Sequence, residues 1–161
     1  MTKNDAGQVE LLFDRLAIHD LVCKYCDALD LRQWELLDEV FTADLVSRWP
    51  HGGAQGRDVT VRYIQKAFTW LGATHHQVGN LRVDFDGDSA DVAARFRCHH
   101  RGAGDRSHLF EESLALFTFK AVRTPGGWRF SEIEERILVM LGDEDVFAGP
   151  DGSPTPLGQM G

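Results

Sequence analysis

Asp91-Val92-Ala93-Ala94-Arg95-Phe96-Arg97-Cys98-His99-His100 is the stretch on which the architecture turns. Val92, Ala94, Phe96, Cys98 and His100 alternate with Asp91, Arg95, Arg97 and His99, the two-residue period of a strand with one apolar face. Just upstream, Asp86-Gly87-Asp88 is a hairpin-turn signal, so residues 77–85 read as the partner strand. Downstream, residues 109–122 and 128–141 read as two more strands, joined by a turn at Pro125-Gly126-Gly127.

Before this region the period is helical. Over residues 9–29 the apolar positions Val9, Leu12, Phe13, Leu16, Ile18, Leu21, Val22, Tyr25, Cys26 and Leu29 mark one long amphipathic helix. A short helix over 33–41 would bury Trp34, Leu37, Val40 and Phe41. Residues 45–49 then form a strand closed by Pro50 and Gly52-Gly53. A third helix starts with Asp58 as its N-cap and runs through Tyr63, Ile64, Ala67 and Phe68 to Leu71. Helices first and a meander of long antiparallel strands after them is an α+β plan. Strands this long must curl, and a curled sheet covered by helices encloses a cone-shaped cavity. The expected division is a single domain over 1–141 and a tail over 142–161, acting as a lid or subunit arm. The tail holds five glycines and three of the five prolines.

Composition narrows the function. The 161 residues carry 17 Lys and Arg against 25 Asp and Glu, a net charge of −8, and the positive residues are scattered singly. Phosphate neutralisation needs clustered cations, so a nucleic-acid partner is not expected. The longest aliphatic run, 137–141, is far below the roughly 18 residues of a membrane span, and the N-terminus has no signal-like apolar stretch. No membrane partner and a cytoplasmic location are the expectation. Three cysteines form no closed disulfide set, and Cys23 and Cys26 fall inside the helical pattern as core thiols. The adjacent pairs His75-His76 and His99-His100 each offer one inward ring, with no ligand spacing for a metal. No glycine-rich phosphate loop is present, so no cofactor is expected.

Four stretches, Lys24-Tyr25-Cys26-Asp27-Ala28-Leu29-Asp30, residues 33–44 (Gln33-Trp34 to Thr42-Ala43-Asp44), Thr74-His75-His76-Gln77-Val78-Gly79-Asn80, and Gly127-Trp128-Arg129-Phe130 leading to Arg136, resemble the SnoaL-like branch of the nuclear-transport-factor-two-like superfamily. The resemblance covers about residues 9–141. It implies a cystatin-like α+β barrel, a curved antiparallel sheet covered by three N-terminal helices. Scytalone dehydratase, bile-acid 7α-dehydratase and hexachlorocyclohexane dehydrochlorinase look most similar. Their pattern places an Asp at the end of the first helix and a His after the third, which Asp30 and His76 match. Tyr25 stands where the dehydratases keep a Tyr, and Arg136 matches an Arg on the last strand of the bile-acid enzyme. His100 falls where relatives carry Asp or His, with His99 the alternative.

Removing water from carbon needs a base for a C–H proton and an acid for the departing oxygen. A neutral imidazole backed by a carboxylate suits the first task, which assigns His76 and Asp30. Tyr25 would donate a hydrogen bond where charge develops on oxygen. His100 or Arg136 would assist the leaving group or anchor the substrate; Arg136 alternatively salt-bridges Glu132, Glu134 or Glu135. Trp49, Trp70 and Phe96 are the expected apolar contacts. Asn80 is read as closing a bend in its strand. The expected function is a cofactor-independent dehydratase acting on a small hydrophobic, polyketide- or steroid-like molecule, with double-bond isomerisation or cyclisation on the same site as alternatives. The competing class is a non-catalytic binding or assembly protein, like the small subunits of ring-hydroxylating dioxygenases. A sealed cone would favour the latter, an open cavity at Tyr25, Asp30 and His76 the enzyme. A homodimer or homotrimer is expected by analogy.

Overall fold

The computed structural model describes residues 3–149, with side chains from residue 7 onward. Helix α1 spans Lys3–Asp30. A 3-10 turn at Trp34–Leu36 and the single-turn helix α2 (Leu37–Val40) lead into β1 (Phe41–Trp49), which folds back as β2 (Gly52–Gln55). Helix α3 (Arg57–Ala67) follows, then four long strands: β3 (Leu71–Asp86), β4 (Ser89–Gly102), β5 (Phe110–Thr124) and β6 (Gly127–Gly142). A last 3-10 turn covers Glu144–Phe147. The strands form one open sheet in the order β2-β1-β6-β5-β4-β3, antiparallel throughout except where β1 runs parallel to β6. That parallel pair is possible because β1 and β6 are joined by a long connection, residues 50–126, rather than by a turn.

The meander follows the expected turns. Asp86 pairs with Ser89 around Gly87, whose φ of +59° suits a residue without a Cβ, and Thr124 pairs with Gly127. On β4 the expected inward row Val92, Ala94, Phe96, Cys98 and His100 is buried throughout. Asn80 takes φ +51° where β3 carries an extra residue between Gly79 and Arg82, and there the strand bends.

Several points differ from the periodic reading: the second helix stops at Val40, and β1 begins at Phe41 rather than at residue 45. Asp58 does not cap α3; the N-cap is Gly56, with φ +96°. The helix ends at Ala67, and Leu71 already belongs to β3, so His76 lies within a strand rather than at its start. In α1, Ile18, Leu21, Val22, Tyr25, Cys26 and Leu29 are buried, but Val9, Leu12, Phe13 and Leu16 are exposed, because the sheet covers only the C-terminal half.

Asp14 anchors α1 to the sheet. It accepts two bonds from the Arg123 guanidinium, at 3.0 and 2.7 Å, and one from Trp128 Nε1 at 2.9 Å. Arg123 holds its carboxyl below the ordinary carboxylate range against the opposing effect of burial. Between helix and sheet, Tyr25, Phe96, Phe117, Phe119 and Phe130 form an aromatic core with ring centroids 4.2–6.5 Å apart. Beyond β6, Val146 is fully buried, and Arg106 donates to the carbonyls of Asp145 and Ala148. The start of the expected tail is therefore packed against the domain; residues 150–161 lie outside the described residues. Among the described residues no helix is long and apolar enough to cross a membrane.

Candidate active site

A cavity of about 500 Å³ opens between α1, α3 and the concave face of the sheet. Tyr25, Trp49, Tyr63, Phe68, His76 and His100 form much of its wall.

Asp30 is the last residue of α1, and its carboxylate reaches across to β3. Oδ1 lies 2.7 Å from His76 Nδ1 and accepts the Thr74 hydroxyl at 2.9 Å, while Oδ2 accepts the His76 backbone N–H at 2.8 Å. The helix stops there because Arg32 takes φ +59°. Its guanidinium donates to the Leu29 carbonyl, to Thr74 Oγ1 at 2.9 Å and to the Gly72 carbonyl at 2.8 Å, and lies 4.8 Å from the Phe68 ring. Arg32 thus ties the helix end to β3, and Thr74 passes that restraint to Asp30. Burial would raise the Asp30 carboxyl, but the hydrogen bond and charge of His76, its backbone N–H and Thr74 outweigh it and bring it down to about 2.

Burial pulls the His76 imidazole below its ordinary value despite the Asp30 bond, and His100 and Arg32 push the same way. The ring is therefore neutral near pH 7. Since an ionised carboxylate can only accept, the proton is assigned to Nδ1, which leaves the lone pair on Nε2. That is the form a general base requires.

His100 faces the same cavity. Its ring centroid is 5.3 Å from that of His76, and its Nδ1 lies 2.7 Å from Glu111 Oε2. His99 is on the outer face, 3.4 Å from Glu112, which settles the choice between the two histidines. Tyr25 is buried among the phenylalanines and lines the cavity; among the described residues its hydroxyl makes no hydrogen bond. Burial first, then the Glu135 charge, keeps the phenol pKa well above its ordinary value, so it stays a donor.

The other expected residues divide. Trp49 lines the cavity, stacked on Tyr63 with centroids 6.3 Å apart, and among the described residues its buried Nε1 has no partner. Trp70 is 37% exposed in the turn after α3 and does not line the cavity, because the helix ends three residues before it. Phe96 is a core residue, separated from the cavity by its packing on Tyr25 and Phe117. Arg136 is exposed on the outer face. The reason is a β-bulge: Lys120 pairs with Glu132 and Ala121 with Phe130, leaving Ser131 unopposed. One extra residue flips every later side chain, so Ile133, Glu135 and Ile137 turn inward and Arg136 turns out. A second bulge at Leu138 flips the strand again and brings Met140 to the cavity.

Four residues around the site were not among the expected ones: Arg32, Thr74, Glu111 and Glu135. Burial, then the nearby Glu111 carboxyl, pushes Glu135 up to about 7. Burial also pushes the Cys26 thiol up to about 12 and raises Cys98, so neither is poised as a thiolate. Among the described residues no group of three or more His, Cys, Asp or Glu side chains is arranged to hold a metal ion.

The SnoaL-like domain family matches residues 10–134. An uncharacterised protein of Mycobacterium tuberculosis, Rv2910c, is 34% identical over 120 residues, which is 72% of this chain and 80% of that protein. The fold is shared with a scytalone-dehydratase candidate from Novosphingobium aromaticivorans, at 24% identity and TM-score 0.75, covering 88% of this chain and 92% of that one. It is shared too with the hexachlorocyclohexane dehydrochlorinase LinA-type3 from Novosphingobium barchaimii, at 20% identity and TM-score 0.76, covering 85% and 94%. The chain belongs to the SnoaL-like domain family.

Proposed function

We propose that this chain is a cofactor-independent lyase, a dehydratase of a small hydrophobic cyclic molecule. The observation that carries the reading is the 2.7 Å contact between Asp30 and a neutral His76 on the wall of an open cavity. His76 Nε2 takes a proton from carbon next to a carbonyl, and Asp30 holds the ring and stabilises the imidazolium. The Tyr25 hydroxyl and the unpartnered Trp49 Nε1 are donors suited to the carbonyl oxygen as charge develops on it. His100, backed by Glu111, assists the departing hydroxyl. Electrons move from the C–H bond into the new double bond, the C–O bond breaks, and the departing hydroxyl leaves as water by taking up the proton that His76 removed, which restores the neutral imidazole. Isomerisation begins with the same abstraction and differs only in the absence of a β leaving group. The named relatives by fold include a dehydrochlorinase, whose chemistry is also a β-elimination.

A non-catalytic role has less support, because that role has no need of an open cavity or of a preorganised Asp–His pair. A homodimer or homotrimer is supported by apolar side chains on the outside of the single chain, Leu138, Val139 and Leu141 on β6 and Phe13 and Leu16 on α1. Light scattering showing a monomer would overturn that assignment.

The test is formation of conjugated enone, followed by ultraviolet absorbance, from a panel of cyclic β-hydroxyketones. Turnover by the wild type that disappears in His76→Gln supports the reading. Turnover that survives His76→Gln, or no turnover across the panel, overturns it.

A further inference from the structure

With Arg136 outside, the charge of the cavity differs in sign from the one its sequence suggests. Among the described residues that line it there are four carboxyl groups, Glu111, Glu135, Glu144 and Asp145, and neither a lysine nor an arginine. Two of the carboxyls are unusual. Glu111 is 2% exposed, and while Oε2 meets His100, the buried Oε1 has no partner among the described residues. A buried carboxyl oxygen without a donor is costly, and in native sites it marks a place where a donor belongs. Glu135, turned inward by the Ser131 bulge, makes no hydrogen bond among the described residues, and burial and the nearby Glu111 carboxyl raise the cost of ionising it.

The neighbouring wall is aromatic. Arg48 pairs with Glu134 across the parallel strands, which places Trp49 beside Glu135, and Trp49 is stacked at 15° on Tyr63. The Glu135 charge is also felt by Tyr25 and Tyr63, so the carboxyl sits among aromatic rings rather than in water. Carboxylates combined with aromatic faces, with no resident cation, are the environment that favours an organic ammonium, through charge-assisted hydrogen bonds and cation–π attraction.

We propose that this wall is an ammonium subsite: the ligand of the cavity carries a protonated amine, held by Glu111 Oε1 and Glu135 and resting against the Trp49 ring. Its apolar body fills the space bounded by Phe68 and Phe117. An anionic ligand, which an inward Arg136 would have welcomed, is repelled. The inference rests on the lyase reading only for the identity of this ligand as the substrate; recognition itself is measured without turnover.

Three probes with one ring system and different charge make the test: 2-naphthylmethylamine, 2-naphthalenemethanol and 2-naphthoate, titrated calorimetrically at pH 7.5. The wild type should bind the amine about tenfold or more tighter than the alcohol, and the naphthoate more weakly than either. In Glu135→Gln the ratio of amine to alcohol affinity should fall to about one. Glu111→Gln should lower it too, and Arg136→Gln, on the outer face, should leave it intact. Because each ratio is taken within one variant, partial loss of folded protein does not mimic the effect. Equal binding of amine and alcohol, a preference for naphthoate, a ratio unchanged in Glu135→Gln, or binding of none of the probes overturns the subsite. Amine preference together with failure of the β-hydroxyketone panel would retain the subsite and remove only the lyase reading.

Discussion

Asp30–His76 and Glu111–His100 are both histidine–carboxyl pairs at 2.7 Å on one cavity wall, yet they are finished to different degrees. Asp30 accepts three bonds, two of them from atoms that Arg32 and β3 hold in place. Glu111 meets one ring nitrogen and has a spare oxygen. A carboxylate whose lone pairs are spoken for acts on its histidine alone. One with an open lone pair can also act on a ligand. The first pair is built to fix a base, and the second is built to be completed.

The comparison breaks most severely at Asp30. Asp30→Asn should lower kcat/KM on a turned-over β-hydroxyketone by about 10²–10³-fold. It should also drop the His76 pKa further, since the carboxylate was opposing the effect of burial. An NMR titration of the ring in wild type and variant reads this, and an unchanged titration would mean the two groups are not coupled. The same contact appears in acid stability. The Asp30 carboxyl is near 2 when folded against an ordinary 3.8, so it contributes about 2 kcal/mol above pH 4. That contribution is lost as pH falls through about 2, and the Asn variant should not show it in acid denaturation.

The opposite sign is expected at Glu135. Folding raises its carboxyl from 4.5 to about 7, so the folded state holds the proton more tightly and loses stability as pH rises across that window. Glu135→Gln, which cannot ionise, should be more stable than the wild type by about 1–3 kcal/mol at pH 8, and no more stable below pH 4.5. Thermal melts at the two pH values measure the difference.

Thr74→Val removes one donor from Asp30 and one acceptor from Arg32 without touching the cavity. A loss of about 1 kcal/mol, or roughly fivefold in kcat with little change in KM, is the expected size. A shift in the acidic limb of the pH–rate profile, where the His76 base takes up its proton, would mark Thr74 as a positioning residue rather than a packing one. Arg136→Gln is the smallest step. On the outer face it should change stability by less than about 0.5 kcal/mol and leave the kinetics as they are.

How much of this was legible in the chain depended on whether periodicity survived. On β4 it did, so His100 rather than His99 faces inward as the alternation of Val92, Ala94, Phe96 and Cys98 implies. Tyr25, Asp30 and His76 were found through family spacing, with helical period placing Tyr25 on the buried stripe. On β6 the two bulges broke the count, and counting by twos from Trp128 brought in Arg136 instead of Glu135. Nothing local to Ser131 or Leu138 announces a bulge, because it is forced by how the strand must curve over the helices. Glu111 was within reach: extending the β4–β5 pairing by one register sets it opposite His100. Arg32 and Thr74 act through a positive φ and a contact 42 residues apart in sequence, which no motif encodes.

Arg106 bears on how fast the cavity exchanges its contents. The segment carrying Phe147, which sits 5.1 Å from the His100 ring, is fastened to the domain by one guanidinium on two carbonyls and by the buried Val146. Letting a molecule in or out past this segment calls for releasing Arg106 and lifting Val146 from its buried place, not for parting strands of the sheet. Such a release belongs to the microsecond-to-second range of lid opening and local unfolding, so it can itself limit how fast the cavity exchanges its contents.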